Sequence, residues 1–161
     1  MITTKDFMQI ICLENDMIHA QTADLSHADT LIQPVSGGNC MNWVLGHLLE
    51  TRLTLLEALG GEPPLDPAKV MRYRRDSEPV RCDGPGVLSL ESLLNDHDLV
   101  HTAVMAQLLM MDEADFDTEN QVGERQVTRG WRVFFLQFHS NYHIGQLEQL
   151  RQLAGRTEKV V

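Results

Sequence analysis

The chain has 161 residues, of which 43% are apolar and 22% charged, and its formal net charge is −10. That length fits one domain, read as residues 1–161, and can bury a full core without disulfides or a structural metal. The negative balance argues against a nucleic-acid backbone or an anionic membrane surface as partner, because either would repel it.

Apolar residues recur at three- and four-residue spacing in four segments, and no convincing strand alternation occurs, so the predicted fold is all-α, a four-helix bundle. The first helix is expected from about Thr4 to Leu25, with Phe7, Ile10, Ile11, Met17, Ile18 and Leu25 on one face and a Thr3/Asp6 cap at its start. The second is expected from about Cys40 to Leu59, on a stripe of Met41, Val44, Leu48, Leu55 and Leu59. Asn39 is its expected N-cap, and Gly60-Gly61 with Pro63-Pro64 ends it.

Residues 61–88 then form a long Gly- and Pro-rich connection. A connection of that length can carry the chain back along a helix, so the third helix can lie parallel to the second, giving a crossover rather than plain up-down topology. Within it, between Lys69 and Arg81, Lys69, Arg72, Arg74, Arg75 and Arg81 outnumber Asp76 and Glu78. Such a loop could draw an anionic thiol or a substrate carboxylate to the open end of the bundle; the ordinary alternative is a solvated loop. The third helix follows Ser89 and reaches about Met111, with Leu90, Leu93, Leu94, Val104 and Leu108 on one face. The fourth is expected from about Trp131 to Ala154, with Gly155 as its C′ residue.

No stretch approaches the roughly 20 apolar residues of a membrane span. The start, MITTKDFMQII, lacks the charged opening and long apolar run of a signal peptide. Cys12, Cys40 and Cys82 are odd in number and widely spaced, without C-x-x-C. Neither a zinc ribbon nor a disulfide framework is expected, and the reducing cytoplasm is the expected location.

The seven histidines carry the chemistry. His139 and His143 share a face of the fourth helix, where two imidazoles can converge on one ion or be satisfied by hydrogen bonds or solvent. His47 stands beside the second helix's core stripe among small residues. His97 and His101 have the same four-residue spacing and fall within the third helix's apolar stripe. They read as rival ligands, as proton carriers lining a cavity, or as core histidines bonded to Glu14 or Gln21. Glu14 itself is either a buried base or a half-exposed helix residue, and His19 and His27 read as solvated. Glu-x-x-His and His-Glu-x-x-His are both absent, which argues against di-iron and metalloprotease sites.

The segments NWVLGHLLETR (42–52) and HSNYHIGQLEQLRQLAG (139–155) resemble the second-helix and C-terminal signatures of the DinB-like metal-binding four-helix-bundle family. With matching helix lengths and order, the resemblance covers nearly the whole chain. It implies one divalent metal ion held by His47, His139 and His143, with Gly145-Gln146 as the pair after the last ligand; zinc and nickel suit such imidazole ligands. It also implies a homodimer and a small-molecule substrate. Activities known in the family are transfer reactions of low-molecular-weight thiols and a thiol-dependent isomerisation. The function expected is activation of a thiol or a water for attack on a small electrophile, with His101 or His97 moving protons. A metal-dependent hydrolase and a non-catalytic metal- or ligand-binding protein are the competing readings.

Overall fold

The computed structural model describes residues 3–160. Helix α1 spans Thr4–Thr22, and the Thr3 side chain and Asp6 form the expected capping box. It ends earlier than its apolar periodicity suggested: Asp24 takes φ 60°, and a one-turn helix α2, His27–Thr30, follows under a Ser26/Asp29 box. Helix α3 is Met41–Ala58. Its N-cap is Cys40 rather than Asn39, with no side-chain capping bond. The buried Cys40 thiol instead donates to the Val80 carbonyl, at 3.3 Å, so this end is held by the core. Helices α4, Leu90–Leu109, and α5, Arg129–Leu153, start at Ser89 and Thr128, whose hydroxyls accept from the first-turn amides.

Two expectations are corrected. Residues 61–88 are not irregular throughout, because Pro67–Tyr73 form a 3-10 helix that buries Val70 and Tyr73. Nor is the fold all-α. Between a 3-10 helix at Glu113–Asp117 and α5 lies an antiparallel hairpin, β1 Glu119–Val122 and β2 Arg125–Thr128, turning at Gly123 (φ 59°). Its strands are almost wholly exposed, so they never acquire the alternating apolar pattern that a half-buried strand shows.

The four long helices pack around one core, with α3 against α4 and α5 and α1 closing against the same two. Side-chain bonds give their directions. Asn42 donates to Leu88, His97 bonds Leu45 and Gln107 donates to Leu59, so α3 and α4 run parallel, as the long crossover allows. Glu57 meets Arg132 while His47 meets His139, so α5 runs antiparallel to α3. The core is Leu- and Val-rich, and α3 is buried on nearly every side, from Met41 to Leu49 without interruption. Among the described residues no helix is long and apolar enough to cross a membrane.

A polar seam crosses this core. Arg52 on α3 donates to Asn15 at 2.6 Å, Asn15 donates to Asp98 of α4 at 3.0 Å, and His19 lies 2.7 Å from the same carboxylate. Glu14 is 4% exposed and only 3.9 Å from Arg52, and its second oxygen has no partner among the described residues. Burial therefore raises its pKa from 4.5 to about 7, against the pull of Arg52 and of Gln137 on α5. Below pH 4.5 the carboxyl is protonated in both states and imposes no penalty. Between 4.5 and about 7 the unfolded chain releases the proton first, so stability falls as pH rises. The denaturation midpoint of the native protein should drop between pH 5 and pH 8, by something on the order of 2–3 kcal/mol from this group. In Glu14→Gln that drop should shrink; equal drops in the two proteins would show that Glu14 ionises normally.

Candidate metal centre

His47 is set by α3 and by the crossover together. One turn earlier, Trp43 stacks on its ring at 4.8 Å and 22°. On the other side the ring Nδ1 lies 2.9 Å from the Tyr73 carbonyl, which can only accept, so Nδ1 carries the proton and Nε2 is left as a lone pair. The crossover reaches this position because residue 46 is glycine. A Cβ there would stand 2.2 Å from the Tyr73 ring.

Antiparallel α5 places His139 and His143 opposite. His47 Nε2 is 3.0 Å from His139 Nε2, and the candidate ligand atoms of all three rings lie within 4.8 Å of one another. His143 Nδ1 is 2.8 Å from the Gln146 side-chain oxygen, which fixes its proton there and frees its Nε2. Imidazoles held this way, by a hydrogen bond on the far nitrogen, are what a metal site needs from its outer partners. Phe135 stacks along His139, and Tyr142 meets His143 edge-on at 5.2 Å.

Burial pushes all three imidazoles below the usual histidine range. For His47, at about 4, the Tyr73 carbonyl opposes the shift, while His143, His139 and Arg75 add to it by repulsion. The rings are thus neutral near pH 7 and free to act as ligands. The cluster contains no carboxylate and no thiol. An all-imidazole set suits zinc, nickel, copper or iron and is a poor match for calcium or magnesium. The residues present therefore fit a divalent transition-metal ion.

The three histidines line a cleft of about 850 Å³. Its other walls include the 34–39 loop, Trp43, Arg75, Tyr142, Gln149 and Leu153. Among the described residues no carboxylate lines it, although the chain carries 23 acidic residues, and Arg75 is its sole cationic side chain.

The other sequence candidates lie elsewhere. His97 is fully buried on α4, with Nε2 bonded to the Leu45 carbonyl at 3.0 Å and its pKa driven down to about 3 by burial. His101 is half-buried one turn on, also held down by burial. Neither lines the cleft or joins the triad. Glu14 belongs to the polar seam; His19 pairs with Asp98, and His27 is 3.5 Å from Asp83. Sequence reasoning did not single out Trp43 or Tyr73, and named Arg75 only as one of five cations in the crossover. Trp43 had a usable signal, four residues before His47 on one helix; Tyr73 and Arg75 reach the site only through the crossover's path.

An up-down-down-up helical bundle with a three-histidine cluster between its second and fourth long helices defines the class. The family model of the DinB superfamily matches residues 14–147, and the chain belongs to that superfamily. Two solved structures share the fold. One is a DinB-like protein from Bacillus cereus, at TM-score 0.74 and 19% identity over 96% of this chain and 94% of that one. The other is a conserved protein from Enterococcus faecalis, at TM-score 0.74 and 15% identity over 96% and 98%. None of the curated proteins matches the sequence.

Proposed function

We propose that this protein is a metal-dependent enzyme in which His47, His139 and His143 hold one zinc or nickel ion. The carrying observation is that two of the three rings have their far nitrogen bonded, to Tyr73 and Gln146, and all three converge on the wall of an open cleft. Three protein ligands beside open space describe a catalytic site better than a closed structural one. An ion there would lower the pKa of a water or a thiol that reached it. The substrate reading is attack by a low-molecular-weight thiol on a small electrophile, a transferase-like reaction. Arg75, the one cation among the described residues of the cleft lining, supports an anionic group on one of the two reactants, with the exposed Asp76 carboxylate 3.8 Å from its guanidinium as the competitor to displace. The aromatic and aliphatic walls, Trp43, Leu150 and Leu153, suit the apolar part.

A metal-dependent hydrolase uses the same geometry with water in place of the thiol. A non-catalytic binding protein would use the ion to fasten α3 to α5. A proton-carrying part for His101 or His97 is kept as a proposal, although the pair sits outside the cleft lining; the placement of His97 favours a core role. His101→Ala should lower turnover about 10²–10⁴-fold at unchanged metal content if His101 carries protons. A homodimer and a cytoplasmic location belong to the same reading, the latter supported by three free cysteines.

The test is a metal-loaded structure and a paired assay. The histidine nitrogens should stand about 2.0–2.2 Å from one ion. Zinc- or nickel-loaded protein should turn over an anionic thiol with an electrophilic acceptor, and Arg75→Gln should raise KM without changing metal content. A bundle that unfolds on chelation and shows no turnover with thiol acceptors or hydrolase substrates would favour the binding protein.

A further inference from the structure

Imidazole ligands carry no charge, so an ion held by three of them keeps its double charge undiminished. Among the described residues no carboxylate lines the cleft, and Arg75 adds to its positive side. A dipositive ion in such a site calls for a negative charge close behind its ligands, because a protein interior screens charge less than water does. Helix α3 supplies one. Glu50, one turn after His47, brings an oxygen to 3.9 Å from His47 Nδ1. Among the described residues it is the one carboxylate within 4.0 Å of a nitrogen of any of the three rings. Its side chain is 24% exposed, against 89% for Asp76 beside Arg75, so solvent dilutes its charge far less. Among the same residues, no Lys or Arg nitrogen stands within 4.0 Å of it.

At that distance the contact is not a hydrogen bond. The Nδ1 proton goes to the Tyr73 carbonyl at 2.9 Å, so Glu50 leaves it in place and acts on the ring by charge. The ring separates the two sides: Nε2 is turned to His139 and the cleft, and the carboxylate lies on the Nδ1 side. Glu50 opens on a different cavity, of about 360 Å³, which it shares with Thr54, Glu57, Val70 and Arg74. None of these residues lines the cleft. We propose that Glu50 is the counter-charge of the metal centre, a positioning residue that stays off the ion and strengthens its hold through the His47 ring. A negative charge on the Nδ1 side polarises the N–H outward and makes Nε2 the better donor. It also offsets the positive charge that the ring takes on when Nε2 gives its lone pair to an ion. The inference rests on the three-histidine site holding a metal. The ordinary alternative is a half-buried glutamate that follows a histidine by one turn and leaves the ion unaffected.

The test is the zinc affinity of the full chain by calorimetry, with the denaturation midpoint of the metal-free protein as a second reading. Glu50→Gln keeps the shape and removes the charge. It should weaken zinc binding about 10–100-fold, the range for outer partners of metal ligands, and leave the metal-free midpoint unchanged. Glu50→Asp keeps the charge and should bind zinc more tightly than Glu50→Gln. Glu57→Gln removes a carboxylate from the same helix and the same small cavity, one that is 75% exposed and 4.0 Å from Arg132. It should bind zinc as the native chain does. Native affinity in Glu50→Gln would overturn the proposal. So would an equal loss in Glu57→Gln, which would mark a general effect of the chain's negative charge. A metal-free midpoint that falls in Glu50→Gln, with Glu50→Asp binding zinc no better, would also overturn it, in favour of a structural part for Glu50. A native chain that takes up no zinc would remove the metal reading and this inference with it, a result distinct from zinc held equally by native and variant proteins.

Discussion

His143→Ala should leave a folded bundle that no longer retains its metal through dialysis, and any turnover should disappear with the ion. His143 is nine-tenths buried, yet its ring serves the cleft wall rather than the Leu- and Val-rich centre of the core. Truncation therefore removes a nitrogen donor and leaves Ile144 and Leu147, the neighbouring core residues of α5, in place. Outer partners of metal ligands alone are worth about 10–100-fold in affinity, so losing one of three direct ligands should exceed that range. Zinc titration monitored by calorimetry, with helical circular dichroism as the folding control, reads both halves of the expectation. Unchanged zinc affinity in the variant would remove His143 from the ligand set and, with it, the triad. Loss of fold together with loss of metal would instead show a structural ion, and the binding-protein reading would gain.

Gly46→Ala should be the most damaging single methyl group in the chain. Alanine is the better helix former by about 1 kcal/mol, so on an exposed helix the change would stabilise. Here the added carbon would lie 2.2 Å from two atoms of the Tyr73 ring, and one of the two partners must move. Tyr73 has no exposed side, and its hydroxyl accepts from the Leu88 amide at 2.7 Å and donates to Asn42 at 3.1 Å. Overpacking of this kind typically destabilises by about 1–3 kcal/mol, occasionally more. The backbone carbonyl that orients His47 belongs to the same tyrosine, so metal affinity should fall along with the denaturation midpoint. A midpoint at or above that of the native protein would mean that the crossover swings away freely. It would then have no part in setting His47.

Much of this architecture could be read before any coordinates. The four long helices follow from three- and four-residue apolar spacing because each buries one face in a shared core. The length of residues 61–88 allows the parallel placement of α3 and α4 without requiring it. His139 and His143 were legible because their spacing is a property of one helix, which no packing can change. The hairpin was not legible, because strands with two wet faces have no hydrophobic period. The α3 cap was misplaced because Cys40 is held by Val80, forty residues away, and not by its own helix.

The rest was decided between elements. Whether His47 joins the α5 pair depends on how α3 turns about its own axis. That rotation is set by burial on nearly all its sides and by the Tyr73 ring lying against Gly46. From residue spacing alone His97, within its helix's apolar stripe and four residues from His101, was at least as good a ligand candidate as the single His47 beside its own; only the resemblance to a known signature favoured His47. Packing separates them by giving each ring a different acceptor. The crossover offers His47 the Tyr73 carbonyl and leaves Nε2 facing the cleft, whereas α3 offers His97 the Leu45 carbonyl and leaves its other nitrogen enclosed and unpartnered among the described residues. The sequence by itself determined the helices, the crossover and a supply of imidazoles. Only the tertiary structure decided which imidazoles meet, because His47 reaches the α5 pair only when its far nitrogen is held by the Tyr73 carbonyl, 26 residues away, and its near one is turned to His139.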